Sequence, residues 1–520
     1  MTKQKSPTIL IILDGWGIAP PSRGNAITLA KTPVMDRLYE TYPFVALGAT
    51  GEDAGLDKNQ MSGSEAGHMN IGAGRIAEQD SYRITRKIND GSFFRNPALA
   101  GAIEHVKKYK GNLHTMGLMG DSDSPHSNPE HFRAILKLAK EKGIKEIYCH
   151  LFTDGRDSYP QSALTHLEYF KKIIKEEKIG KIATICGRFY AMDRSKNWDR
   201  LAKAYDAIVF SIGEKANSAE EAIKRAYEKN FSDEYIPAAV ICENEKPVMN
   251  LEKNDGLIFF NLRSDRARQF TKLFSSVNKE RIITDNMPVI DKIENLYFVA
   301  MTDFGPDLSI NTAFQSHSLS KTLPMILENH RQLYIAEMEK YAHLTYFFNG
   351  GYPDSVGGEE RITVPSPKVD SYAQIPEMSA GIIAKNVVKY IKEGRYDFIA
   401  INFANADMVG HTGNLKATVK AIEFLDEQVG KVVKNAYVKG GNIIITADHG
   451  NADCMIDFAG GKEMINTFHS KNLVPFLLAG KKFKKSKLLE GGILGNIAPT
   501  ILQIMEAEKP REMECDSLLK

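Results

Sequence analysis

The sequence predicts an α/β fold of largely parallel sheets covered by helices. Short apolar runs alternate with longer stretches of helical period, recognisable caps bound those stretches, and reactive residues follow the runs instead of lying inside them. The runs are Thr8–Leu13, Leu113–Leu118, Glu146–Phe152, Lys181–Cys186, Gly256–Asn261, Gln332–Ala336, Phe398–Phe403 and Asn442–Thr446. Between the second and third, Asn128-Pro129 supplies an N-cap and a first helical residue, and Gly143 ends the helix. Ala163–Lys178 reads as another such helix, closed by Gly180. These are βαβ units, without a solenoid-period repeat or a low-complexity linker.

Composition narrows the function classes. At 520 residues the chain is too long for a peptide hormone, a disulfide-stapled mini-domain or a lone binding module. Hydrophobic residues make up 43% and charged residues 25%, as in a globular chain that buries a large core. Lys+Arg 67 against Asp+Glu 65 leaves +2, so no global field recommends a nucleic acid or a membrane as partner. The 5 cysteines are scattered and never form a C-x-x-C pair, which argues for reduced thiols. The apolar-leaning stretch Thr8–Leu13 is too short for a secretory leader, and no window approaches the roughly 18 apolar residues of a spanning helix. A soluble, cytoplasmic protein is expected.

Three runs end in metal-ligating residue types. Asp14-Gly15 follows Leu13, Asp407 and His411 follow Phe403, and Asp448-His449 follows Thr446. In open α/β sheets, ligands bind beyond the carboxyl ends of the strands. A single Asp in such a place is ordinarily a turn former or helix cap. Two Asp–His pairs and a further Asp at one edge would repel without a cation, and oxygen and imidazole donors without thiolate suit Mn²⁺ or Zn²⁺ better than Mg²⁺. Residues 59–75 form a glycine-rich loop around Ser64, a candidate nucleophile if a divalent cation lowers its proton affinity. His68 in that loop reads as a packing or hydrogen-bonding residue, and His469 is as easily structural as a ligand.

The middle of the chain carries a different chemistry. After its strands come Asp121 to His126, Asp154-Gly-Arg156-Asp157, Arg188 with Arg194 nearby, and Arg263 with Arg266. Five arginines at similar strand ends suit phosphate and carboxylate, which they can grip bidentately, and Asp157 beside them could orient or deprotonate a hydroxyl. The plainer alternative pairs each arginine with the interleaved Asp154, Asp193 and Asp265.

These residues closely resemble the cofactor-independent (2,3-bisphosphoglycerate-independent) phosphoglycerate mutases. The resemblance runs nearly end to end, through Leu13-Asp-Gly-Trp-Gly17, Gly63-Ser-Glu-Ala-Gly-His-Met-Asn-Ile-Gly-Ala-Gly-Arg75, Thr153-Asp-Gly-Arg-Asp157, Glu339-Lys-Tyr-Ala-His343, Asn405-Ala-Asp-Met-Val-Gly-His411 and Thr446-Ala-Asp-His-Gly-Asn451. It implies an alkaline-phosphatase-like metal-binding domain at 1–78 and 312–520, with a transferase domain inserted at 79–311. It implies two Mn²⁺-type ions (Zn²⁺, Co²⁺ or Mg²⁺ as alternatives), one on Asp14, Ser64, Asp448 and His449, the other on Asp407, His411 and His469, and no 2,3-bisphosphoglycerate. Substrate binding is implied for His126, Arg156, Asp157, Arg188, Arg194, Arg263, Arg266 and Lys340.

The expected reaction interconverts 3-phosphoglycerate and 2-phosphoglycerate through a phosphoserine on Ser64, with Asp157 and Lys340 assisting, in a monomer whose partner is the small-molecule substrate. The Asp/His set alone leaves two other readings open, a metal-dependent phosphomonoester hydrolase and a phosphopentomutase-like enzyme. A catalytically silent metabolite binder is a third, although it would have no need of a nucleophile beside metals.

Overall fold

The computed structural model describes residues 6–58, 60–275, 293–305, 307–315, 318–459 and 462–520. The first five residues and Asn59, at the head of the serine loop, lie outside them. The chain forms two compact units, one of Met1–Gln79 with His317–Lys520, the other of Asp80–Ser316.

In the first unit seven strands run in the order Glu360–Val364, Gln332–Glu337, Phe398–Phe403, Thr8–Leu13, Asn442–Thr446, Val474–Ala479 and Phe44–Leu47. The first five are mutually parallel, and Val474–Ala479 pairs antiparallel with both its neighbours. Thr8–Leu13, Phe398–Phe403 and Asn442–Thr446 are buried at every position. Strands covered on both faces must read as continuous apolar runs, which is why their sequences show no alternation. The register sets Leu13 opposite Phe403 and Ile12 opposite Thr446, so the residues after these strands emerge at one edge.

The second unit has its own sheet, ordered Asn311–Phe314, Tyr297–Thr302, Gly256–Phe259, Leu113–Leu118, Ile147–Thr153, Lys181–Gly187, Ala239–Glu243 and Glu214–Ala216, with Lys246–Pro247 pairing off the path. Only Lys181–Gly187 against Ala239–Glu243, and the short Lys246–Pro247 pairing, are antiparallel.

All eight apolar runs are strands. Asn128 caps the helix Pro129–Glu141 by accepting from the Glu130 amide, and Gly143 follows at φ 78°. The helix Ala163–Glu177 stops before Gly180, because Lys178 already adopts the left-handed conformation at φ 57°. Phe44–Leu47 and Val474–Ala479 were not legible as strands: one has four residues after a proline, and the other carries Pro475.

All five cysteines are free thiols, three of them buried, with Cys454 and Cys515 half-buried. No helix among the described residues is long and apolar enough to cross a membrane.

Ile11 sits fully buried in the central strand of the first sheet. Ile11→Ala should destabilise that unit by about 2–5 kcal/mol, since both lost contacts and a residual cavity count against it. Urea denaturation followed by circular dichroism checks this.

Candidate active site

The parallel register brings Asp14, Asp407 and Asp448 together, each at most 2% exposed. Asp14 ends the central strand, and its amide donates to the Phe403 carbonyl at 3.1 Å. Gly15 turns away at φ 79°, and a Cβ there would stand 2.7 Å from the Asp407 backbone, so only glycine lets the two strand ends close up. The Asp407 amide donates to the Asp14 carbonyl at 3.0 Å, tying the two loops directly.

Ser64 opens the helix Ser64–Ala73, whose N-cap is Gly63. Gly67 presses that helix onto the Asp448 loop, since a Cβ there would lie 2.6 Å from the Asp448 carbonyl oxygen. Ser64 Oγ consequently lies 3.1 Å from Asp14 Oδ1 and 3.0 Å from His449 Nε2. Lys340, buried at 3% exposure, donates from Nζ to Ser64 Oγ at 2.6 Å, to Asp14 Oδ1 at 2.7 Å and to Asp407 Oδ2 at 2.6 Å. Burial works against its charge, yet Asp14, Asp407 and Asp448 overcome it and hold the ammonium well above its ordinary value. Burial and the neighbouring Asp448 charge push the Asp14 carboxyl up.

The other imidazoles gather around Asp407. His411 Nδ1 faces the Thr467 carbonyl at 2.7 Å and His469 Nδ1 faces the Ser62 carbonyl at 2.7 Å. A carbonyl can only accept, so both Nδ1 atoms carry hydrogen and both Nε2 atoms face inward. Those two Nε2 atoms are 3.1 Å apart and lie 3.1 and 3.3 Å from Asp407 Oδ1. One carboxylate oxygen and two imidazole nitrogens converging this closely fit a cation, and oxygen and imidazole donors of this kind suit a divalent ion. His449 stacks on His469 with ring centroids 3.9 Å apart. Two groups, Asp407 with His449 and His469, and Asp14 with His68 and Asp448, have ligand atoms within 4.8 Å of one another.

All the residues expected to hold metal are thus assembled in the first unit, together with Lys340. His68, expected as a packing or hydrogen-bonding residue, does hydrogen-bond there, while its neighbours Asn402 and Asn451 were not singled out from the sequence. The one available signal was Asn402, an amide inside the otherwise apolar strand Phe398–Phe403, which must find partners when buried.

The second unit assembles part of the predicted anion site. Arg188, 3% exposed, donates to Asp154 Oδ1 at 2.7 Å and to Asp157 Oδ2 at 2.5 Å. Its other terminal nitrogen lies 3.0 Å from His126 Nε2, which is itself 3.1 Å from Asp157 Oδ2. His126 Nδ1 is buried with no hydrogen-bond partner, and burial pushes the imidazole below its ordinary value. Against burial, His126 and Arg188 hold the Asp157 carboxyl well below the usual carboxylate range.

Asp265 bridges Arg194 at 2.9 Å and Arg263 at 3.3 Å, while Arg156 reaches outward to Glu234 at 3.4 Å. Arg266 is pushed down to about 10 by burial and by the charges of Arg194, Arg188 and Arg156. The interleaved carboxylates do pair with arginines, so the plainer alternative holds for Asp154 and Asp265. Asp193 instead takes Arg200. Arg266 nonetheless feels a surplus of positive charge, the condition of a site that receives an anion.

Residues 6–509 match the family model of the Metalloenzyme superfamily. The chain is 46% identical over 518 residues to the 2,3-bisphosphoglycerate-independent phosphoglycerate mutase of Clostridioides difficile (strain 630), covering 99% of each chain. It is 44% identical over 524 residues to the enzyme of that name from Clostridium botulinum (strain ATCC 19397 / Type A), covering 99% of this chain and 100% of that one. Among solved structures it resembles Leishmania mexicana phosphoglycerate mutase at low cobalt concentration, with a TM-score of 0.80, 27% identity, and coverage of 99% and 98%. The hydrolase, phosphopentomutase and silent-binder readings give way to these full-length likenesses. The chain belongs to the 2,3-bisphosphoglycerate-independent phosphoglycerate mutases, enzymes that interconvert 3-phosphoglycerate and 2-phosphoglycerate.

Proposed function

We propose that the interconversion runs through a phosphoserine on Ser64, with the first unit handling the phosphoryl group and the arginines of the second holding the glycerate. The observation that carries this reading is the position of Ser64 Oγ, within 3.1 Å of Asp14 Oδ1, His449 Nε2 and Lys340 Nζ at once. Two divalent ions of the Mn²⁺ type would be held by Asp14, Ser64, Asp448 and His449, and by Asp407, His411 and His469. When bound they would lower the proton affinity of the serine hydroxyl and neutralise phosphoryl oxygens.

The chain's own groups supply the rest. Ser64 Oγ gives up its proton and attacks phosphorus, a P–O bond to Oγ forms, and the bond to the 3-oxygen of the glycerate breaks, that oxygen taking up a proton in exchange. The 2-hydroxyl then loses its proton and attacks phosphorus, releasing Oγ. Lys340 stays charged throughout and offsets the negative charge of the transferring group. The start of the helix at Ser64 adds free N–H groups toward the same anion.

Asp157 enters ionised and is placed to exchange the proton of the glycerate hydroxyl, while Arg188 and His126 orient it. His126 Nδ1 has no hydrogen-bond partner of its own, which leaves it open to a substrate oxygen. Arg156, Arg194, Arg263 and Arg266 complete a cationic pocket for carboxylate and phosphate. Water must be kept from the phosphoserine, or the product would be free phosphate. The five free thiols support a protein working in the cytosol.

Chelation should abolish mutase activity assayed without 2,3-bisphosphoglycerate, and manganese should restore it better than magnesium; activity that survives exhaustive chelation contradicts the metal assignment. Ser64→Ala should lose turnover by more than about a thousandfold while keeping its circular dichroism, because no other group takes the nucleophile's place. Mass spectrometry of wild-type protein quenched during turnover should find phosphate on Ser64. Arg266→Lys should raise the KM for phosphoglycerate roughly tenfold or more, since a point charge replaces the bidentate fork; steady-state kinetics in both directions measure it.

A further inference from the structure

Each of the three clustered carboxylates also meets a neutral hydrogen-bond donor from outside the cluster. Asn402 Nδ2 donates to Asp14 Oδ2 at 2.8 Å and lies 3.0 Å from His68 Nε2. Reversing the amide would turn its oxygen onto the Asp14 carboxylate, so nitrogen faces both partners. An amide nitrogen has only hydrogens to offer, and His68 Nε2 is therefore the acceptor. The ring hydrogen then sits on Nδ1, which faces the Ser64 carbonyl at 2.9 Å and Asp448 Oδ2 at 3.1 Å.

His68 thus has no lone pair left for a cation, although it stands with Asp14 and Asp448 in a ligand-like group. Asn451 Nδ2 reaches Asp407 Oδ1 at 3.3 Å, and its backbone amide is fixed by the Gly15 carbonyl at 2.9 Å. All three side chains are at most 1% exposed, so their partners are these groups and not solvent.

We propose that Asn402, His68 and Asn451 are positioning residues that orient Asp14, Asp448 and Asp407 for divalent metal and so set the affinity of the site. The inference rests on the metal reading given above. Their neutrality matters: Asn402 and Asn451 each donate to a carboxylate oxygen and His68 Nδ1 stands 3.1 Å from another, without adding positive charge that would compete with the ion, in contrast to Lys340. His68 does a second job, linking Asp448 to the carbonyl of Ser64, so metal ligand and nucleophile are held by one ring. Outer partners of this kind are worth roughly 10–100-fold in metal affinity.

The test is manganese binding to chelated, repurified protein, read from the electron paramagnetic resonance of free Mn²⁺, with the melting temperature of the metal-free protein alongside. His68→Gln places its amide near the Nε2 position and removes the Nδ1 donor; it should weaken manganese binding roughly 10–100-fold. His68→Asn places an N–H near Nδ1 and should keep most of the wild-type affinity. At saturating manganese, the KM for phosphoglycerate should be unchanged in both.

Unchanged affinity in His68→Gln overturns the proposal, as does an equal loss in the Asn and Gln variants, which would mark a mere packing role. Should His68→Gln fail to fold, Asn402→Ala carries the same expectation and the same refutation. Wild-type protein that binds no manganese would overturn the metal assignment itself and this inference with it; binding wild type beside unimpaired variants would overturn the inference alone.

Discussion

Three carboxylates held a few ångströms apart in a buried place repel one another, and the architecture of the first unit answers that repulsion. Asp14, Asp407 and Asp448 leave adjacent parallel strands at one edge, so the register that stabilises the sheet also forces them together. Burial sharpens the repulsion, because an ionised group loses its hydration there and feels its neighbours through a low dielectric. Lys340 offsets part of the charge, and His411 and His469 turn their Nε2 atoms in toward the Asp407 carboxylate. A cluster so rich in acceptors is a costly thing to fold around unless cations complete it.

The same constraint shapes the surroundings of Ser64. Its helix is drawn onto the Asp448 loop because Gly67 offers no side chain to hold it off, and the hydroxyl arrives among Asp14, His449 and Lys340. In another setting this serine would be an ordinary helix-start residue with a proton it does not readily give up. The second unit works by the opposite excess. There Arg188 is buried against Asp154 and Asp157, yet Arg266 still senses uncompensated guanidinium charge. One unit gathers negative groups that suit divalent metal, the other an excess of guanidinium charge.

The sequence by itself determined the strands, since an apolar run buried on both faces has few other homes, and it determined the ligand types, since Asp and His after such runs have few innocent reasons to recur. It also carried the motifs through which the family is recognised. It could not supply the short edge strands Phe44–Leu47 and Val474–Ala479, whose pairing is fixed by a sheet already built beside them. Nor could it decide His469, which is near Asp407 and His411 only because a loop folds back to let its Nδ1 meet the Ser62 carbonyl. The tautomer of His68, the grip of Asn402 on Asp14 and the pairing of Asp265 with two arginines at once are tertiary facts of the same sort. Hydrogen-bond direction depends on which atoms finally face each other, and a linear order of residues does not contain that.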